Sequence, residues 1–344
     1  MAAILFTLAR ERSLRRQRVF RDRTNPLDVF SDRELICRYR FPRRTIVDFI
    51  QQVDRRLSRP TNRSHPLPVS SMVLATLRVL SKGDFQSEAA DIHGISQPSF
   101  SRMFMGVVDA LNASLDNIIF PMGQEEILRT KEDFLRVANF PNVVGAIDGT
   151  LIPIMGMTGD DEHVFVCRKG FHAINMQGIV TADLRFTNIV CKYGGATHDA
   201  YILANSSIPE IMDQLPGGGW LLGDSGYPLR PWLMTPFLTP QAGQQEKYNA
   251  SHIKTRNCVE RAFGVLKSRF RCLHKTGGAL AYTPSKCVRI IECCCRLHNR
   301  AIEDRIPAPA TGQVPIFSDN DSFNAETIVN ANAVNTRNII VRRF

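Results

Sequence analysis

The nine cysteines of this 344-residue chain include no Cys-x-x-Cys pair. The spacing that marks the common zinc and dithiol motifs is therefore missing. Three of the nine, Cys293, Cys294 and Cys295, are consecutive in an apolar segment that reads as a buried helix. Neighbours of that kind point in different directions, so they read as small core residues in a reducing compartment. A zinc site from Cys258, Cys272, His274 and His298 fits no standard ligand spacing. No stretch reaches the roughly 20 apolar residues of a membrane span, and the apolar run at residues 2–6 is too short for a secretory leader. An intracellular protein with no membrane association is expected. Lysine is absent from residues 1–60, yet fifteen arginines against seven acids give that segment +8 of the net charge of +10. A basic end of this kind points to nucleic acid, with a solvated arm or a localisation signal as the alternatives. Apolar content of 44% and charged content of 22% are those of a globular protein, and the length suits a core domain plus a smaller one.

Punctuation along the chain divides it into an Arg-rich arm (1–34), a helical domain (35–118), an α/β domain (140–303) and a flexible tail (304–344). Ile46, Phe49, Ile50, Val53 and Leu57 recur at helical spacing after Phe41-Pro42. Residues 58–68, with three prolines, read as a linker. Helices follow over 70–80 and 85–93, and Gly94 turns the chain into a third that Ser96 can cap. Pro98 is tolerated in its first turn, and Phe100, Phe104, Val107, Val108 and Leu111 form its inner face. This is a helix-turn-helix plan, which places Gln97 and Arg102 outward as candidate DNA contacts, with Ser99 and Ser101 beside them. Plain packing or a dimer contact is the rival use of such a cluster. Beyond it, 143–154, 171–181 and 186–193 read as strands, the last two joined by a turn at 182–184. A short helix opens at His198-Asp199-Ala200. Strands are expected at 220–222, ending on Asp224, and at 237–239, then helices over 252–272 and 284–303. The order is that of a mixed-sheet, ribonuclease H-like α/β domain.

Three acids have settings of their own: Asp148 in Gly145-Ala146-Ile147-Asp148-Gly149-Thr150, Asp224 in Leu222-Gly223-Asp224-Ser225-Gly226-Tyr227, and Glu260 in Cys258-Val259-Glu260-Arg261-Ala262-Phe263-Gly264. Two sit where an apolar strand meets glycine and one on a helix. Such acids suit two divalent cations about 3.5–4 Å apart around a scissile phosphate. Mg²⁺ or Mn²⁺ is the expected cofactor, since hard cations take oxygen ligands. On the helix, Val259, Phe263, Leu266 and Phe270 form the inner stripe, leaving Glu260 at the rim with Arg256 and Lys267 on its face as candidate DNA contacts. Gly264, one turn on, leaves room for a nucleic-acid backbone. Asp199 is either a fourth metal ligand or a helix cap. Arg168, Lys169 and His172 are weaker candidates for phosphate contact.

These segments, together with Arg168-Lys169-Gly170-Phe171-His172, His198-Asp199, Arg269-Phe270-Arg271-Cys272-Leu273, Gly278-Ala279-Leu280 and Leu297-His298-Asn299, resemble the DDE endonuclease domain of PIF/Harbinger transposases in one continuous order. The resemblance covers residues 35–303 and is densest over 143–299. It implies that Asp148, Asp224 and Glu260 are the catalytic acids, that Asp199 lies near the metals, and that transposon-end or target DNA is cut and in a full transposase joined. It also implies a Myb/SANT-like DNA-binding partner, a homo-oligomer, and a nuclear as well as cytoplasmic location. Leu151 departs from the pattern, because many relatives have His there. The rival functions are a domesticated, catalytically silent DNA- or partner-binding protein, and an RNA-cleaving enzyme with the same metal chemistry.

Overall fold

The computed structural model describes residues 25–58, 66–309 and 330–344. Most of the basic arm, residues 59–65 of the linker and residues 310–329 lie outside the described residues. The folded chain begins within the segment expected to be arm. Asn25 caps a single turn, α1 (Pro26–Val29), and a Ser31/Glu34 capping box opens α2 (Asp32–Tyr39). Leu27 and Leu35 are buried, and their burial corrects the boundary drawn at residue 34. Then come α3 (Arg43–Leu57), α4 (Val69–Lys82), α5 (Gln86–Ile92) and α6 (Gln97–Ser114). Gly83 and Gly94, both at positive φ (71° and 60°), make the turns between the last three, where an L side chain would be strained. Ser96 holds the N-cap position of α6, but its hydroxyl donates to Ser99 Oγ at 2.9 Å rather than capping a backbone N–H. A further helix, α7 (Gln124–Ala138), has no counterpart in the sequence reading and packs on the first strand.

The sheet has five strands in the order β3-β2-β1-β4-β5. They are β1 (Val143–Pro153), β2 (Ala173–Val180), β3 (Phe186–Gly194), β4 (Trp220–Leu222) and β5 (Leu233–Met234). The first three pair antiparallel, while β4 and β5 run parallel to β1. The fifth strand is Leu233–Met234, not 237–239. In place of a ladder, Asn249 bonds both backbone groups of Phe237. Short helices α8 (Glu162–Phe165), α9 (Asp199–Ala204) and α10 (Ile208–Asp213) interrupt the strands. The long α11 (Gln244–Arg269) and α12 (Pro284–Glu303) cover one face. α11 starts eight residues before its expected beginning. Its first turns are polar and bury little besides Tyr248, so no apolar stripe announces them.

A last helix, α13 (Ala331–Val341), corrects the expectation that all of 304–344 is flexible. Its Ala333, Ile340 and Val341 are buried, Phe344 packs on Phe140 and Tyr248, and Arg337 stands 3.9 Å over the Phe237 ring. One hydrophobic cluster runs from Leu27 through α3, α4 and α6, one face of the sheet, α11 and α12, to Val341. A smaller cluster around Val144, Ile147, Leu221 and Tyr227 lies on the opposite face.

Candidate active site

β1 is the central strand, and its register with β4 positions the acids. Ala146 pairs with Leu222 in a parallel ladder. Asp148 and Asp224 each lie two residues beyond that pair. Two is the side-chain period of a strand, so the Asp148 carboxylate continues the face of Ala146, which is the face α11 covers. Past Leu222 the β4 chain leaves the sheet at Gly223, and Asp224 Oδ1 then accepts from Gly226 N–H at 3.0 Å. Asp148 Oδ1 accepts from Gly149 N–H at 2.9 Å.

From α11, Arg256 joins two of the acids. Its Nη1 donates to Asp148 Oδ2 at 2.9 Å and its Nη2 to Glu260 Oε1 at 2.5 Å. The Arg256 side chain is 8% exposed, against 16% for Asp148 and 22% for Glu260. Arg256 is thus occupied inside the protein rather than presented to DNA. Burial works against its charge, and Asp148 and Glu260 more than restore it. Lys267, one helical stretch further, donates to Thr150 Oγ1 at 2.6 Å and to the Leu151 carbonyl at 3.1 Å, so it braces β1 just past Asp148. Gly264 faces open space, as a close approach by another backbone requires.

Asp199 enters from the other side. A Cβ on Gly149 would overlap the Asp199 carboxylate, so this carboxylate lies directly against the backbone next to Asp148. The N-cap position of α9 belongs to His198, and Asp199 Oδ1 accepts instead from Asn175 Nδ2 at 2.8 Å. Burial pushes the Asp148 carboxyl up to about 7; Arg256 opposes the shift, and the charges of Asp224 and Asp199 add to it. Behind the acids lies a buried polar group that sequence reasoning missed. Gln177 Nε2 donates to Tyr227 Oη at 3.0 Å and to the Asp199 carbonyl at 3.1 Å. Burial, then Asp199, Asp148 and Asp224, drive the Tyr227 pKa well up, so its hydroxyl stays protonated. The signal was present: Asn175 and Gln177 are two amides at i, i+2 in a strand otherwise apolar and wholly buried.

The remaining candidates are spread more widely. Gln97 and Arg102 are exposed on the first turns of α6; Gln97 reaches Gln86 at 3.4 Å and Arg102 Nε donates to the Pro98 carbonyl at 3.0 Å. Arg168 and Lys169 are exposed in a turn closed by Gly170 at φ 75°, and His172 Nε2 lies 3.1 Å from Glu162 Oε1. The Leu297-His298-Asn299 segment is internal. Asn299 accepts from Phe186 N–H at 2.8 Å and donates to its carbonyl at 2.7 Å, while His298 bonds the Leu184 carbonyl. Cys258, Cys272 and Cys293 to Cys295 are buried free thiols, and among the described residues no three His, Cys, Asp or Glu side chains already form a metal-ligating group.

Residues 147–299 match the family described as DDE superfamily endonuclease. The chain is 35% identical over 309 residues to "Putative nuclease HARBI1" of Mus musculus, spanning 88% of each chain, and 36% identical over 293 residues to its Homo sapiens counterpart, spanning 83% of each. "Protein ALP1-like" of Arabidopsis thaliana is 27% identical over 259 residues, which are 70% of this chain and 62% of that protein. No solved structure matches. Endonucleases of the DDE superfamily generally use divalent metals. The chain belongs to the Harbinger-derived family of DDE endonucleases.

Proposed function

We propose that the chain is a DNA endonuclease of the DDE type that uses Mg²⁺ or Mn²⁺ to hydrolyse phosphodiester bonds, with strand transfer of transposon ends as a further capacity of the same site. The observation that carries the reading is Arg256 joining Asp148 of β1 to Glu260 of α11, with Asp224 two residues past the Leu222 that pairs with Ala146. The sheet order and the mixed strand directions support a ribonuclease H-like assignment. The donor set fits the ions: carboxylate oxygens only, without thiolate or imidazole. Burial is the main cause of the raised Asp148 pKa, with Arg256 opposing it and Asp224 and Asp199 adding to it, and a bound cation would favour the charged carboxylate.

Asp148, Asp224 and Glu260 would hold the ions, with Asp199 as a further ligand. Bound there, a pair of ions supplies Lewis-acid activation of water and charge stabilisation at the phosphodiester. The protein's own share is positioning. Gly149 and Gly226 N–H groups fix the rotamers of the two aspartates, Asn175 fixes Asp199, and Arg256 sets Glu260 toward Asp148. Gln97 and Arg102 at the exposed start of α6 support a DNA-reading role for that helix.

The test is plasmid nicking in Mg²⁺ by the wild type beside Asp148→Asn, Asp224→Asn and Glu260→Gln. These changes keep volume and remove only the ligating charge. Each is expected to abolish nicking while the fold, read by circular dichroism, and gel shifts stay near wild type. A variant that still nicks normally would remove its residue from the ligand set, and three such variants would sink the reading.

A further inference from the structure

Where the helical part meets the far end of α11, backbone contacts bring a group of cations together. Arg40 closes α2 in the left-handed region at φ 73°. Its guanidinium is held by three carbonyls, from Nε to Arg269 at 3.0 Å, from Nη1 to Cys37 at 3.2 Å and from Nη2 to Ser81 at 3.4 Å. Lys82 follows Ser81 as the last residue of α4. Gly83 then presses on Gly277 so closely that a Cβ on Gly83 would stand 2.8 Å from Gly277 Cα. Gly277 in turn abuts the Arg271 carbonyl. Arg78, one turn before Lys82, adds a further cation, paired with Asp84 at 2.7 Å. Behind them Arg269 is 2% exposed, its Nη2 on the Ile306 carbonyl at 3.3 Å and its Nε unpartnered.

Such an arrangement costs free energy in isolation. Like charges in a partly desolvated corner repel more strongly than in water. Burial, Arg40 and Arg78 hold the Lys82 pKa down, although Cys37 and Asp84 oppose them. Among the described residues Lys82 makes no hydrogen bond or ion pair. Arg40 is held by backbone carbonyls and Arg78 by Asp84, while Lys82 is half-buried and the exposed Arg271 donates to Thr276 Oγ1 at 3.3 Å. That is a setting for an anion carrying several acceptor oxygens.

We infer that Lys82 and Arg271, backed by Arg40 and Arg78, form a binding site for a backbone phosphate of duplex DNA, separate from the catalytic acids. The ligand's identity rests on the DNA endonuclease reading. From Glu260 to Arg269 the helix rises about 14 Å at 1.5 Å per residue.

The experiment measures binding of the full chain to a short duplex in EDTA over a range of salt, for wild type, Lys82→Gln/Arg271→Gln, and Arg129→Gln/Arg136→Gln. The last pair removes as much charge from α7, where both arginines are exposed and already paired with acids. The first pair is expected to lower the slope of log K against log salt by about 1.8 and to weaken binding on the order of tenfold, while the α7 pair leaves the slope unchanged. The charge-keeping pair Lys82→Arg/Arg271→Lys should restore the slope, which separates lost contact from lost fold. An unchanged slope, an equal fall in the α7 pair, or no rescue overturns the site. If the slope falls in a protein that never nicks in Mg²⁺, the site stands and the nuclease reading fails. If the wild type binds no duplex, both fall.

Discussion

At the scale of single residues, the site depends on one guanidinium. Arg256 joins a strand acid to a helix acid, and its removal leaves Asp148 and Glu260 facing each other with less compensation. Breaking a buried pair by deleting one partner costs about 3–5 kcal/mol; the partial exposure of the two acids puts Arg256→Met at the lower end, about 3 kcal/mol. Urea unfolding in EDTA measures this, and a loss too small to detect would show that solvent already screens the acids. Gly149 is the other sensitive position. Gly149→Ala places a methyl group where the Asp199 carboxylate stands, so nicking should fall at least tenfold while melting changes little. Full activity in that variant would exclude Asp199 from the site. The placing of Asp148 and Asp224 where apolar strands meet glycine, and of Glu260 on a helix, was legible in the sequence. The occupied state of Arg256 was not, because helical spacing places a side chain on a face without saying what else reaches it. Lys267 likewise shares a face with Glu260 yet bonds Thr150 and Leu151.

At the scale of elements, long strands and strongly periodic helices were readable. The three antiparallel strands are rich in Val, Ile and Phe, and α12 occupies the span its apolar spacing marks. The failures share a cause. β5 has two residues and therefore no period, α11 opens on polar turns, and α13 joins the fold through a few scattered side chains. In each case tertiary burial, which sequence does not display locally, decides the element. For α13 the consequence is measurable. Removing residues 331–344 strips Ile340, Val341 and the Phe344 ring from Phe140 and Tyr248, a loss on the order of 4 kcal/mol by apolar area. Denaturant unfolding of the truncated chain should show it; an unchanged midpoint would mean that the helix docks without contributing.

At the scale of the whole molecule, acid stability follows from three buried histidines. Burial pushes His93, His252 and His298 down to about 4, against about 6.5 in an unfolded chain. A depressed pKa contributes stability that is complete above the unfolded value and is lost as pH falls toward the folded one. Asp148, raised to about 7, acts oppositely: its contribution is complete below about 3.8 and is lost as pH rises through 7. Three groups outweigh one, so stability in urea should fall by a few kcal/mol between pH 7 and pH 5. A protein more stable at pH 5 than at pH 7 would contradict these assignments. The shared core has a mechanical consequence as well. Among the described residues, apolar packing continues in one buried cluster from α6 to the helix that carries Glu260, which ties the two together. On the proposed reading, in which α6 and the acids engage one duplex, a mismatch between their spacing and straight B-form DNA would be absorbed by bending or untwisting the duplex. Flexible pyrimidine–purine steps near the cut would then be favoured at positions no side chain touches.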